Sequence, residues 1–155
     1  MKIGIADTMF ACVDMYHIAR KTICDLEENL KIERYTVPGV KDLPVACKKL
    51  IEEYDCNIVL AFGMPGPEKI DKQCAHEASL GIIYAQLLTN THILEVFVHM
   101  DEALDEKQLK KITFNRVHDH TLNAIQLLKN KNNLSKKAGQ GVRQGASNFG
   151  SIEFF

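Results

Sequence analysis

Two histidines, a lysine-aspartate pair and two stretches rich in glycine and proline carry most of the chemistry this sequence offers. Lys41 and Asp42 follow the turn Val37-Pro38-Gly39, which closes the strand-like run Lys31–Tyr35. A Pro-Gly turn at the carboxyl end of a strand lets backbone approach a ligand closely. Lys41 and Asp42 then supply a donor and an acceptor at the start of a helix. Adjacent residues on a helix do not face one another, so each needs some other partner. A second stretch, Gly63-Met64-Pro65-Gly66-Pro67-Glu68, is stiff and carries little side chain. It suits backbone donation to a planar polar ring or a phosphate. It is neither a Walker loop nor a G-x-G-x-x-G fingerprint. Phe10, after Asp7-Thr8-Met9, is a stacking platform in one reading and core filling beneath a helix in the other.

His99 opens the stretch His99-Met100-Asp101-Glu102, and His76 sits beside Glu77 in Cys74-Ala75-His76-Glu77. These residue types suggest a metal, but H-x-x-x-H spacing is absent at His76 and no third ligand is evident. His118 and His120, two apart on a helix, point their rings to different faces. No protein metal site is therefore expected, and the plainer role for these histidines is solvation or a helix-to-loop hydrogen bond.

Four short apolar runs must position these groups: Lys2–Ala6, Lys31–Thr36, Asn57–Phe62 and His92–Val98. Their length and bounding turn residues predict parallel strands buried on both faces. Helical periodicity fills the gaps, over Asp14–Asn29, Val40–Tyr54, Asp71–Leu88 and Asp105–Asn130. In the third helix the apolar positions Cys74, Ala78, Leu80, Gly81, Ile83, Tyr84 and Leu87 are expected to pack on the sheet. Cys24 and Cys47 are expected in helix cores. The β-α alternation predicts an α/β fold: a flavodoxin-like three-layer sandwich around a four-stranded parallel sheet, in one domain spanning 1–155. Ligands of such sheets bind outside the carboxyl ends of the strands. Glu95 lies within an apolar strand and needs a partner, which a subunit contact could supply. From Lys131 onward a glycine-punctuated basic tail reads either as a loose terminus or as an arm docking on a neighbouring subunit.

Composition narrows the partners. The 155 residues are 46% hydrophobic and 25% charged, with 19 basic and 20 acidic side chains and a formal charge of -1. Nothing in that balance attracts nucleic acid. No apolar run has the length of a membrane span, and the chain enters a strand at Lys2, so no signal peptide is expected. The five cysteines form no C-x-x-C, and reduced thiols in the cytoplasm are expected.

Several of these segments, in order, resemble the archaeal riboflavin synthases, relatives of the lumazine synthases. The resemblance runs through Thr36–Leu50, Ala61–Gly66, Cys74–Gly81, Glu95–His99 and the tail Ala138–Gly145. Val37-Pro38-Gly39, Asp42, Glu77 and Gly81 are also similar to lumazine synthase positions. The Arg-Gly-Glu/Asp-Thr segment and the following catalytic histidine of that enzyme have no counterpart in Pro65–Ile70.

The resemblance implies a riboflavin synthase working on two molecules of 6,7-dimethyl-8-ribityllumazine. Thr8, Phe10, Val37, Pro38, Gly39, Gly63, Met64, Pro65, Phe97 and Val98 would wall the rings. Lys41 and Asp42 would reach ribityl hydroxyls or a ring carbonyl. His99 and His76 would shuttle protons, imidazole titrating near neutral pH, with Glu77 orienting one of them. No organic cofactor is implied. The family's association with divalent cations admits Mg2+. A homopentamer with sites between subunits is implied too. The alternatives are lumazine synthase activity on the same fold, and a flavin-binding module without catalysis.

Overall fold

A computed structural model describes residues 1–27 and 29–153. Four parallel strands, β1 (Lys2–Thr8), β2 (Lys31–Val37), β3 (Ile58–Gly63) and β4 (Ile93–Phe97), form one sheet in the order β2-β1-β3-β4. This is the flavodoxin-like order. The pairing Ile5↔Arg34, Ile5↔Leu60 and Leu60↔Leu94 fixes the register across it. β3 is buried at every position because strands flank it on both sides and helices cover both faces.

Helices α1 (Met15–Leu26) and α4 (Glu106–Lys129) cover one face, where Ile3, Ile5, Leu60, Phe62 and Val96 meet Met15, Ile23, Val117 and Ile125. Helices α2 (Leu43–Glu52) and α3 (Lys69–Thr89) cover the other, where Val59, Ala61 and Ile93 meet Leu43, Leu50, Ile82 and Ala85. The α/β three-layer architecture read from the sequence is the one observed.

Three expectations change. The second helix does not start as an α-helix at Val40: Val40–Asp42 form a 3-10 turn, and α2 starts at Leu43 with Pro44 in its first turn. α1 stops at Leu26 instead of Asn29, and Cys24 is exposed while Cys47 is buried. In α3 the sheet is covered by Ala75, Ala78, Ile82 and Ala85, whereas Leu80, Ile83, Tyr84 and Leu87 are exposed. Small residues let that helix lie close to the sheet. Gly81 is pressed against Pro44 so tightly that a Cβ would stand 2.6 Å from the ring. The large apolar side chains are left facing outward.

The tail does not extend away from the chain. Leu134–Lys137 form a 3-10 turn after α4, and Phe149 N–H donates to Gly141 O (2.8 Å), closing a loop that folds back on α4. Residues 154 and 155 of the tail lie outside the described residues. No helix among the described residues is long and apolar enough to cross a membrane.

Candidate active site

The exits of β1 and β2 are locked together by an ion pair between a buried Asp7 and an exposed Arg34. Asp7, 6% exposed, accepts from Arg34 Nη2 (2.6 Å) and Nε (3.1 Å) and from Thr36 Oγ1 (2.6 Å). The hydrogen bond to Asp7 raises the pKa of Arg34, whose guanidinium lies 4.1 Å over the Tyr16 ring. Met9 N–H donates to Val37 O (2.9 Å), drawing the two exit loops together. Phe10 is turned outward by this arrangement and is 61% exposed. Its core-filling reading is therefore set aside.

Strand order reverses between β1 and β3, the place where open α/β sheets form a crevice. A cavity of about 270 Å³ opens there, lined by Phe10, Gly39, Val40, Lys41, Asp42, Pro65, Gly66, Asp71 and Cys74. The exit loops of β1, β2 and β3 thus contribute, together with the first two turns of α3. Gly66 leaves room for Asp71, whose carboxylate accepts from Glu68 N–H (3.1 Å) in a capping box. Lys41 finds its partner across the cavity mouth, donating to Glu77 Oε2 at 2.6 Å. That bond raises the pKa of Lys41 and lowers that of Glu77, which also accepts from Gln73. Glu77 therefore orients Lys41 rather than a histidine.

The remaining sequence candidates fall elsewhere. The side chains of Val37, Met64 and Val98 face the core, so only their backbones could reach a ligand. Pro38 is exposed at the rim. Thr8 lines a neighbouring cavity with Arg34, Cys12 and Asp14, its Oγ1 buried. Gly63 gives way to the half-buried ring of Phe97, which would stand 2.7 Å from a Cβ there. His76 is exposed and lies outside the cavity lining.

His99 follows the edge strand β4 with its ring half-buried. Its segment is stitched to the cavity wall, Val98 N–H donating to Gly63 O and Met100 N–H to Pro65 O, both at 3.0 Å. Burial raises the pKa of Glu95, opposed by a hydrogen bond from Ser79 and the charge of His99. Asp71 and Cys74 were missed as site residues. Each is separated in sequence from the turns that signalled the cavity, and Cys74 reads as an apolar helix position. Among the described residues no three His, Cys, Asp or Glu side chains come together as a metal site.

The family described as 6,7-dimethyl-8-ribityllumazine synthase matches residues 1–132. The chain belongs to the 6,7-dimethyl-8-ribityllumazine synthase family. It is 53% identical over 152 residues to a riboflavin synthase of Methanothermobacter thermautotrophicus, covering 98% of this chain and 99% of that one. It is 46% identical over 152 residues to a riboflavin synthase of Archaeoglobus fulgidus, with the same coverage. A 6,7-dimethyl-8-ribityllumazine synthase of Thermococcus onnurineus is more distant, 26% identical over 109 residues and 69% of each chain. The match to the 6,7-dimethyl-8-ribityllumazine synthase family ends at residue 132, while the riboflavin synthase matches span nearly the full chain, tail included.

Proposed function

We propose that this protein is a riboflavin synthase, converting two molecules of 6,7-dimethyl-8-ribityllumazine into riboflavin and 5-amino-6-(D-ribitylamino)uracil. The observation that carries the reading is the near full-length likeness to riboflavin synthases, on a fold that opens a cavity at its switch point. The lumazine synthase alternative has in its favour the family match over residues 1–132 and a shorter, more distant relative.

The reaction moves a four-carbon unit from one lumazine to the other and consumes neither water nor an oxidant. Its first requirement is loss of a proton from the C7 methyl group, whose anion the ring delocalises. Its second is to hold two flat rings in the right relation, an entropic task. In this proposal Phe10 stacks on a ring, the backbone at Gly39 and Pro65 walls it, and Lys41 and Asp42 bind ribityl hydroxyls or a carbonyl. His99, or less directly His76, moves the proton. Of the two carboxylates on the cavity wall, Asp42 and Asp71, Asp71 is engaged in its capping box.

Neither His76 nor His99 lines the cavity. The cavity takes Asp71 and Cys74 from α3, while Glu95, Phe97 and His99 belong to the edge strand β4 and its exit. Beside that edge α3 exposes Leu80, Ile83, Tyr84, Leu87 and Leu88. Such a patch calls for an apolar partner. In this proposal a second copy supplies it, in a pentamer whose sites combine the cavity of one subunit with the edge of the next.

The test is to incubate the protein with 6,7-dimethyl-8-ribityllumazine, with and without Mg2+, and follow riboflavin absorbance. Half an equivalent of riboflavin is the expected yield. Tight binding without turnover would favour a binding module. His99→Asn should lower kcat at least ~10-fold with substrate affinity within a few-fold. Sedimentation showing a monomer alone would remove the shared site.

A further inference from the structure

We propose that Arg116 and Glu102 form a clamp that positions His99, and that the C-terminal segment around Gly145 is the cover of that clamp. The inference rests on the role given to His99 above.

β4 ends at Phe97, and a single 3-10 turn, Met100–Glu102, follows it. The turn is closed by Glu102 N–H donating to His99 O (3.1 Å). Arg116, on the opposite face of the sheet in α4, reaches up to this turn with its side chain only 17% exposed. Its Nη1 donates to Phe97 O (2.8 Å) and to Glu102 Oε1 (2.7 Å), and its Nη2 donates to Glu102 Oε2 (2.6 Å). Glu102 Oε1 also accepts from the backbone N–H of His99 (2.8 Å). One planar cation thus ties the residue before the segment, the residue at its end and, through the carboxylate, His99 itself. A guanidinium forms that fork and an ammonium does not. The hydrogen bond from Arg116 also holds the Glu102 carboxyl below its ordinary range, so the clamp is charged at neutral pH.

The tail completes the arrangement. Gly145, at φ +71°, lies against the guanidinium so closely that a Cβ would stand 2.6 Å from Nε and 3.2 Å from Nη2. Its loop is fixed by Arg143 N–H donating to Asn148 Oδ1 (3.1 Å) and by the Phe149–Gly141 bond. This lies beyond residue 132, in the part of the chain that the riboflavin synthase relatives match and the family match leaves out. The added segment therefore covers the guanidinium side of the ion pair, while the Glu102 carboxylate keeps about a third of its surface in water. Proton transfer tolerates little misplacement: about 1 Å can cost ~100-fold in rate.

The test compares Arg116→Lys, Glu102→Gln and Gly145→Ala with the parent in the full-length protein. It reads kcat, lumazine affinity by fluorescence titration, and amide hydrogen exchange of Val98–Glu102. Arg116→Lys and Glu102→Gln should each lower kcat about tenfold with affinity within about threefold, and should speed exchange in Val98–Glu102. Gly145→Ala should have the same signature at smaller size. The Arg116→Lys/Glu102→Gln double variant should be no worse than the worse single one, because the two act as a unit. A kcat within twofold of the parent in both single variants would overturn the clamp. So would equal losses in kcat and affinity with exchange raised throughout the chain, the mark of general destabilisation. If the parent makes no riboflavin, the functional reading fails and hydrogen exchange decides alone: unchanged protection of Val98–Glu102 in Arg116→Lys would overturn the clamp.

Discussion

Gly63→Ala tests whether the end of β3 is packed as tightly against Phe97 and Val40 as the geometry says. A Cβ at Gly63 would lie 2.7 Å and 2.8 Å from two carbons of the Phe97 ring and 3.0 Å from Val40 Cγ1. Carbon atoms prefer about 3.5–4.0 Å, so the ring must retreat by roughly 1 Å or the strand must shift. Overpacking of this kind costs about 1–3 kcal/mol. Replacing glycine in an extended strand returns about 0.4–1 kcal/mol through the unfolded state. The net cost is then about 1–2 kcal/mol, which for a chain of this size lowers Tm by about 2–8 °C. Melting followed by circular dichroism, at one protein concentration, measures it. The displacement also moves Phe97 and the segment leading to His99, so turnover should fall with it. The double variant Gly63→Ala/Phe97→Leu should recover part of the Tm loss relative to the sum of the single variants, since Leu lacks the colliding ring edge. A Tm within 1 °C of the parent for the single variant, or strict additivity in the double, would refute the reasoning.

Three further outcomes are expected. Phe10→Ala should weaken lumazine binding about fivefold or more, the aromatic face being worth ~1 kcal/mol or somewhat more, without changing Tm, because Phe10 is exposed; equal affinity would remove it from the site. Native alkylation should label Cys12 and Cys24 first and Cys74 more slowly, with bound lumazine protecting Cys74, while buried Cys47, its thiol pushed up to about 12, should react only after unfolding. A Cys74 rate indifferent to ligand would place the lumazine elsewhere. Glu102 has a folded pKa below its unfolded value, so its stabilisation is full above about pH 4.3 and is lost as pH falls through the folded pKa. Glu102→Gln should therefore be less stable than the parent to urea at pH 7 and converge with it as pH falls through the folded pKa of Glu102; parallel curves would mean that the ion pair contributes nothing.

The sheet was legible because its signals are local. Ile58–Phe62 is apolar at nearly every position, and only a strand covered on both faces uses such a run. The Pro38-Gly39 and Gly63–Gly66 turns marked the cavity for the same reason, since backbone at a strand exit must be thin to approach a ligand. α3 was misread because it is apolar on two sides. Spacing alone could not tell Ala75, Ala78 and Ala85, which lie against the sheet, from Leu80, Ile83 and Leu87, which do not. Pairings across the fold left no trace in the sequence either. Lys41 meets Glu77 from another helix, and Arg116 meets Phe97 O, a backbone atom that no residue type announces.

The place of β1 has a consequence for synthesis on the ribosome. β1 emerges before both of its neighbours, with β2 on one side and β3 on the other. Its Ile3 and Ile5 share a core with Val117, Ala124 and Ile125 near the far end of the chain. At about 5–20 residues per second, those partners appear ~6–25 s after the strand they cover. For that interval the nascent chain carries an apolar segment that α1 can cover only in part. Substitutions that slow the docking of α4 should therefore lower the soluble yield of newly made protein more than they lower the stability of protein already folded.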